Sequence, residues 1–113
     1  MNTTTNHEIS LQTAIDMTTL YRAHRPANFP VCETFNKAAI AKLVATPGCA
    51  SLRIYYGMQQ DMLSHAILVA VDAAGADILP ATTAAATDDD PVILEDGYRC
   101  PQDCPPGSVL NTN

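Results

Sequence analysis

Apolar residues recur at three- and four-residue steps through Leu11, Ala14, Ile15, Thr18 and Tyr21, with Met17 and Leu20 widening the stripe. That period is the mark of an amphipathic helix, and Ser10 stands where an N-cap belongs, so a first helix is expected over 11–23. Pro26 and Pro30 bar helix in the segment that follows. A second stripe, Phe35, Ala39, Ile40, Leu43 and Val44, predicts a helix over 33–45, stopped by Thr46-Pro47-Gly48.

The period then changes to two. Leu52, Ile54 and Tyr56 alternate with Arg53 and Tyr55, as in a half-exposed strand, and His65 to Val71 is a nearly unbroken apolar run suited to a central strand. The two are expected to pair as an antiparallel hairpin across 57–64. Asp72 and Gly75 form a turn signal that offers Ala76–Leu79 as a third strand, ended by Pro80, and Val92–Leu94 as a short fourth. Residues 1–8 read as a frayed terminus and 81–90 as an acidic connector, where the triple Asp88-Asp89-Asp90 is a solvated charge run. The stretch from Cys100 to Gly107 holds three prolines and a glycine, so an irregular tail is expected over 99–113. The fold class is therefore α+β: two N-terminal helices packed on a small antiparallel meander of three to four strands.

A length of 113 residues fits one domain spanning 1–113 and burying roughly 65% of its unfolded surface. With 47% hydrophobic but 5% aromatic residues and no Trp, that core must be aliphatic and thin. The net charge of −6 argues against nucleic acid, because phosphate affinity needs clustered Lys and Arg. Charge is also divided along the chain, +2 over residues 1–60 and −8 over 61–113. No stretch approaches the roughly 20 apolar residues of a membrane span, and Met1–Glu8 lacks the layout of a signal peptide, so a cytoplasmic protein with no membrane partner is expected.

The candidate chemistry lies in four cysteines and three histidines. Cys100 and Cys104, with three residues between them in a proline-rich knuckle, have three readings: reduced packing residues, the commonest case; a disulfide or redox pair; or zinc ligands completed by a histidine. Cys32 and Cys49 flank the second expected helix, about 20 Å apart at 1.5 Å per residue, too far to share that metal. His7, His24 and His65 are expected to be solvated termini rather than bases. Calcium-loop, P-loop, dinucleotide and nucleophile-elbow patterns are absent from the sequence. Tyr55 and Arg53, on the outward face of the first strand, are the candidate binding residues, against the commoner role of a Tyr covering a sheet face.

The order Pro47-Gly48-Cys49, Leu52-Arg53-Ile54-Tyr55-Tyr56-Gly57, Ala66 to Asp72 with Gly75 and Asp77, then Arg99-Cys100-Pro101 and Cys104-Pro105, resembles a group of small uncharacterised bacterial proteins. The resemblance spans about residues 9–110. It implies a bacterial origin and assigns no activity and no functional residue. The function expected from the residues themselves is a non-enzymatic interaction or structural module that binds a protein partner or itself, since a short meander leaves edges open to another chain. The alternative is a zinc- or thiol-dependent protein built on Cys100 and Cys104.

Overall fold

The computed structural model describes residues 5–81 and 90–111. Seven elements run in the order α1 (Leu11–His24), β1 (Cys32–Thr34), α2 (Lys37–Val44), β2 (Ser51–Met58), β3 (Ser64–Val71), β4 (Asp77–Ile78) and β5 (Tyr98–Cys100). The fold is mixed α+β with two antiparallel sheets, one of order β2-β3-β4 and one pairing β1 with β5. The expected fourth strand is reduced to one bridge, in which Leu68 and Leu94 exchange both backbone hydrogen bonds at 2.9 and 3.0 Å. Most of the acidic connector, residues 82–89, lies outside the described residues. Among the described residues no helix is long and apolar enough to cross a membrane.

The hairpin forms as its alternation requires, with Ser51 opposite Val71 and Met58 opposite Ser64. It is longer than expected, because the pairing continues through Gly57 and Met58 before the chain turns. At the far end Asp72 builds the next turn: its Oδ1 accepts the backbone N–H groups of Ala74 and Ala76, at 2.9 and 3.0 Å. Gly75 supplies the φ of +89° that the turn needs.

Leu43, Leu68 and Ala70 are the buried centre, closed by Phe35, Ile40, Cys49, Ala66, Ile78, Val92 and Leu94. The α2 helix reaches it with a single fully buried side chain, Leu43.

Two expectations about the helices need correction. The helix expected over 33–45 begins only at Lys37, because Cys32, Glu33 and Thr34 are taken as a strand by Cys100, Arg99 and Tyr98. Asn36, in extended conformation, marks the helix start. The α1 helix forms as expected, with Ser10 Oγ accepting the Thr13 N–H at 3.0 Å, but it buries no residue. Its stripe residues Leu11, Met17 and Leu20 are all more than half exposed, so it is not packed on the meander in the way the pattern implied. It is tied instead at its C-terminal end, where the Tyr21 hydroxyl donates to the Pro30 carbonyl at 2.7 Å and Arg22 to the Leu110 carbonyl at 2.5 Å.

Candidate interaction surface

Among the described residues the β2 strand is paired on one side only. Which of its groups face outward follows from β3: Leu68 turns its N–H and C=O away from β2 and toward Leu94. In an antiparallel ladder the even residues of β3 therefore face away from β2, and the odd residues carry the β2–β3 bonds. Register then sends the backbone polar groups of Leu52, Ile54 and Tyr56 outward at the open edge. The same residues project from one face of the sheet together with Met58, and all four are exposed, Tyr56 most of all at 79%.

Beside that face lies a cleft of about 630 Å³ between the sheet and the 26–35 segment, walled by Phe29, Phe35, Ile54, Tyr56 and Leu68. Cys32, Glu33, Ser64 and His65 also line it. The imidazole of His65 is buried, and neither ring nitrogen makes a hydrogen bond. Glu95 Oε1 stands 3.1 Å from Nδ1, and Asp61 Oδ2 is 4.0 Å from Nε2. His65 was expected at a solvated strand end; burial of Ser64 and His65 together shows that the strand mouth is covered.

The opposite face of β2 carries the residues singled out from the sequence, Arg53 and Tyr55. Both are already engaged with the chain itself. Arg53 Nη1 donates to Asp77 Oδ1 at 2.6 Å and Nη2 to the Gly75 carbonyl at 3.2 Å, while the Tyr55 hydroxyl donates to Asp77 Oδ2 at 2.5 Å. The three side chains bridge β2 to β4 over the central strand. Tyr56, which the alternation placed on the inward face, is the freer of the two tyrosines.

The Tyr55 hydroxyl bond, and after it Arg53, hold the Asp77 carboxyl below its ordinary value, against an opposing effect of burial. A carboxyl lowered in the folded state contributes stability that is present above its unfolded value, about 3.9, and lost as pH falls through the folded one. The melting temperature of the native chain is therefore expected to exceed that of Asp77→Asn at pH 6, with the gap narrowing as pH falls below about 4. A gap that stays constant to pH 2 would show that the charge of Asp77 does not matter.

Cys100 and Cys104 are joined as a disulfide, and Cys32 and Cys49 are free. In the bonded form neither Cys100 nor Cys104 is a thiolate that can take zinc. Among the described residues no three His, Cys, Asp or Glu side chains converge as metal ligands. Cys32 does not stand at the end of a helix, as the pattern suggested; it lies in β1, directly opposite Cys100. Burial and the neighbouring Glu33 push its thiol above the ordinary value.

The chain matches no family model, no curated protein and no solved structure.

Proposed function

We propose that this chain is a non-enzymatic interaction module that pairs with a second copy of itself through the open edge of β2. The observation that carries this reading is an eight-residue edge strand with Leu52, Ile54, Tyr56 and Met58 exposed beside its unpaired backbone groups. Edges that stay solitary are blunted by Pro, Lys or short length. β2 has none of these, and its one charge, Arg53, is turned to the other face and held by Asp77.

A two-fold antiparallel pairing centred on Tyr55 sets Leu52 against Met58 and Ile54 against Tyr56 of the second copy. Even residues then meet even residues, so their outward backbone groups pair and the apolar face continues across the junction. Arg53 falls opposite Gly57, which avoids like charges, and two three-stranded sheets become one of six.

Sedimentation equilibrium of the full chain is expected to show a dimer. Ile54→Pro removes one outward donor, which an edge strand tolerates without losing its inner ladder, and is expected to weaken the dimer by about 100-fold or more, at 1.4 kcal/mol per factor of ten. Ile54→Lys, which keeps the donor but charges the face, should act in the same direction. Circular dichroism matching the native chain confirms that each variant is folded. A native chain monomeric up to high concentration, or a dimer indifferent to both substitutions, overturns the reading.

A further inference from the structure

We propose that Cys32, Cys100 and Cys104 form a thiol–disulfide exchange site, in which Cys32 takes Cys104's place on Cys100 and turns Cys104 into an exposed thiol open to modification. This does not depend on how β2 pairs. Three observations bring the three cysteines to one place in the fold. Cys32 and Cys100 are direct partners in the β1–β5 register. Opposed antiparallel residues share a face, with Cα atoms about 4.5–5.5 Å apart, inside the range of about 4.4–6.8 Å that a disulfide spans. Cys100 is already half of a disulfide, and it is the buried half, only 2% exposed, whereas Cys104 is exposed.

The exchange needs no outside oxidant. Cys32 loses its proton to solvent, and the thiolate attacks Cys100 Sγ. The Cys32–Cys100 bond forms as the Cys100–Cys104 bond breaks, and the electron pair leaves on Cys104, which takes up a proton. One disulfide and two free thiols, counting Cys49, are present before and after. The bridge that results ties β1 to β5 across the sheet, and the thiol delivered to the surface is the natural target of small disulfides and electrophiles.

The rate follows the thiolate fraction of Cys32. Burial and Glu33 oppose its ionisation. The charged and titratable groups around it are Glu33 in the same strand, Arg99 on β5, and Tyr21, Tyr56 and His65 along the cleft. Exchange is therefore expected to be slow near pH 7 and to quicken about tenfold for each unit by which pH is raised, until the thiol ionises.

The test uses the full chain, air-oxidised, then held without oxygen at pH 8.5, trapped with N-ethylmaleimide after acid quench, and mapped by peptide mass spectrometry. Label is expected on Cys104 as well as Cys32, together with a Cys32–Cys100 cross-linked peptide. Cys32→Ser should reduce Cys104 labelling at least tenfold, whereas Cys49→Ser should leave it unchanged. In Cys104→Ser, mild oxidation should join Cys32 to Cys100. Failure of any of these overturns the proposal: Cys104 unlabelled in the native chain, labelling that persists in Cys32→Ser, no Cys32–Cys100 bond in Cys104→Ser, or oxidised chain without the Cys100–Cys104 bridge.

Discussion

Leu43→Ala is expected to lower the free energy of unfolding by about 3–5 kcal/mol, a large share of what a domain of this size has. Leu43 is fully buried, and it is the one buried side chain that α2 adds to the centre formed with Leu68 and Ala70, with Ile40 packed partly buried beside it. Truncation removes its transfer free energy and leaves a cavity between a helix and a strand held by few other contacts, so little can collapse into the space. Leu68→Ala, at the middle of β3, should cost a comparable amount. Leu110→Ala is the control: this side chain is 37% exposed, and its loss is expected to stay within about 1 kcal/mol. Urea unfolding followed by circular dichroism reads all three. Equal midpoints for Leu43→Ala and Leu110→Ala would show that the core has been placed wrongly.

The hairpin at the centre of that core was legible because its signals are local. Alternation over 52–56, the apolar run over 65–71, and the Asp72–Gly75 turn each specify their structure within a few residues. Pairing between distant segments carries no such signal. Glu33 and Thr34 read as the start of a helix because they run directly into the stripe of Phe35, Ala39 and Leu43, and only the arrival of Tyr98–Cys100 makes Cys32–Thr34 a strand. The tail misled for a related reason. Pro101 removes a donor from its own position but leaves Cys100 free to end a strand, so Arg99 and Cys100 are still paired and irregular structure begins two residues later than the expected tail over 99–113.

The candidate site was legible in part. The period of two identified β2 and both of its faces, and the open edge followed from the small number of strands. It could not say which face would be covered. The 26–35 segment and α2 close over β3 and leave the β2 end of the same face uncovered, so Ile54 and Tyr56 are exposed where Leu68 is buried. Arg53 and Tyr55 look free in a pattern that shows no contact to Asp77, more than twenty residues away. The role of Glu33 had no sequence signal at all, since an acidic residue near a helix start is ordinary.

That residue carries the second large effect. The outer edge of β3 is satisfied piece by piece: β4 covers Ala70 and Val71, Leu94 bonds Leu68, and the Asn28 carbonyl accepts the Ser64 N–H at 2.8 Å. Between the last two no strand among the described residues reaches Ala66. Glu33 fills the gap, its carboxylate oxygens 3.1 and 3.2 Å from the Ala66 nitrogen. The carboxylate is 6% exposed, and its counter-charge is Arg99, whose Nε lies 3.9 Å away and donates to the Ser64 carbonyl at 3.0 Å. Room for this arrangement depends on Gly97, where a Cβ would stand 3.1 Å from Glu33 Oε2 and 2.8 Å from the Phe35 ring. Glu33→Ala leaves a largely covered guanidinium without its counter-ion and a strand N–H without an acceptor, and is expected to cost about 2–4 kcal/mol. Glu33→Gln retains an acceptor for Ala66 and loses only the charge, so its cost should be clearly smaller. Urea midpoints of the two variants separate the contributions. If Glu33→Ala proves no worse than Glu33→Gln, the bond to Ala66 contributes nothing; if neither shifts the midpoint, the outer edge of β3 is held by other groups.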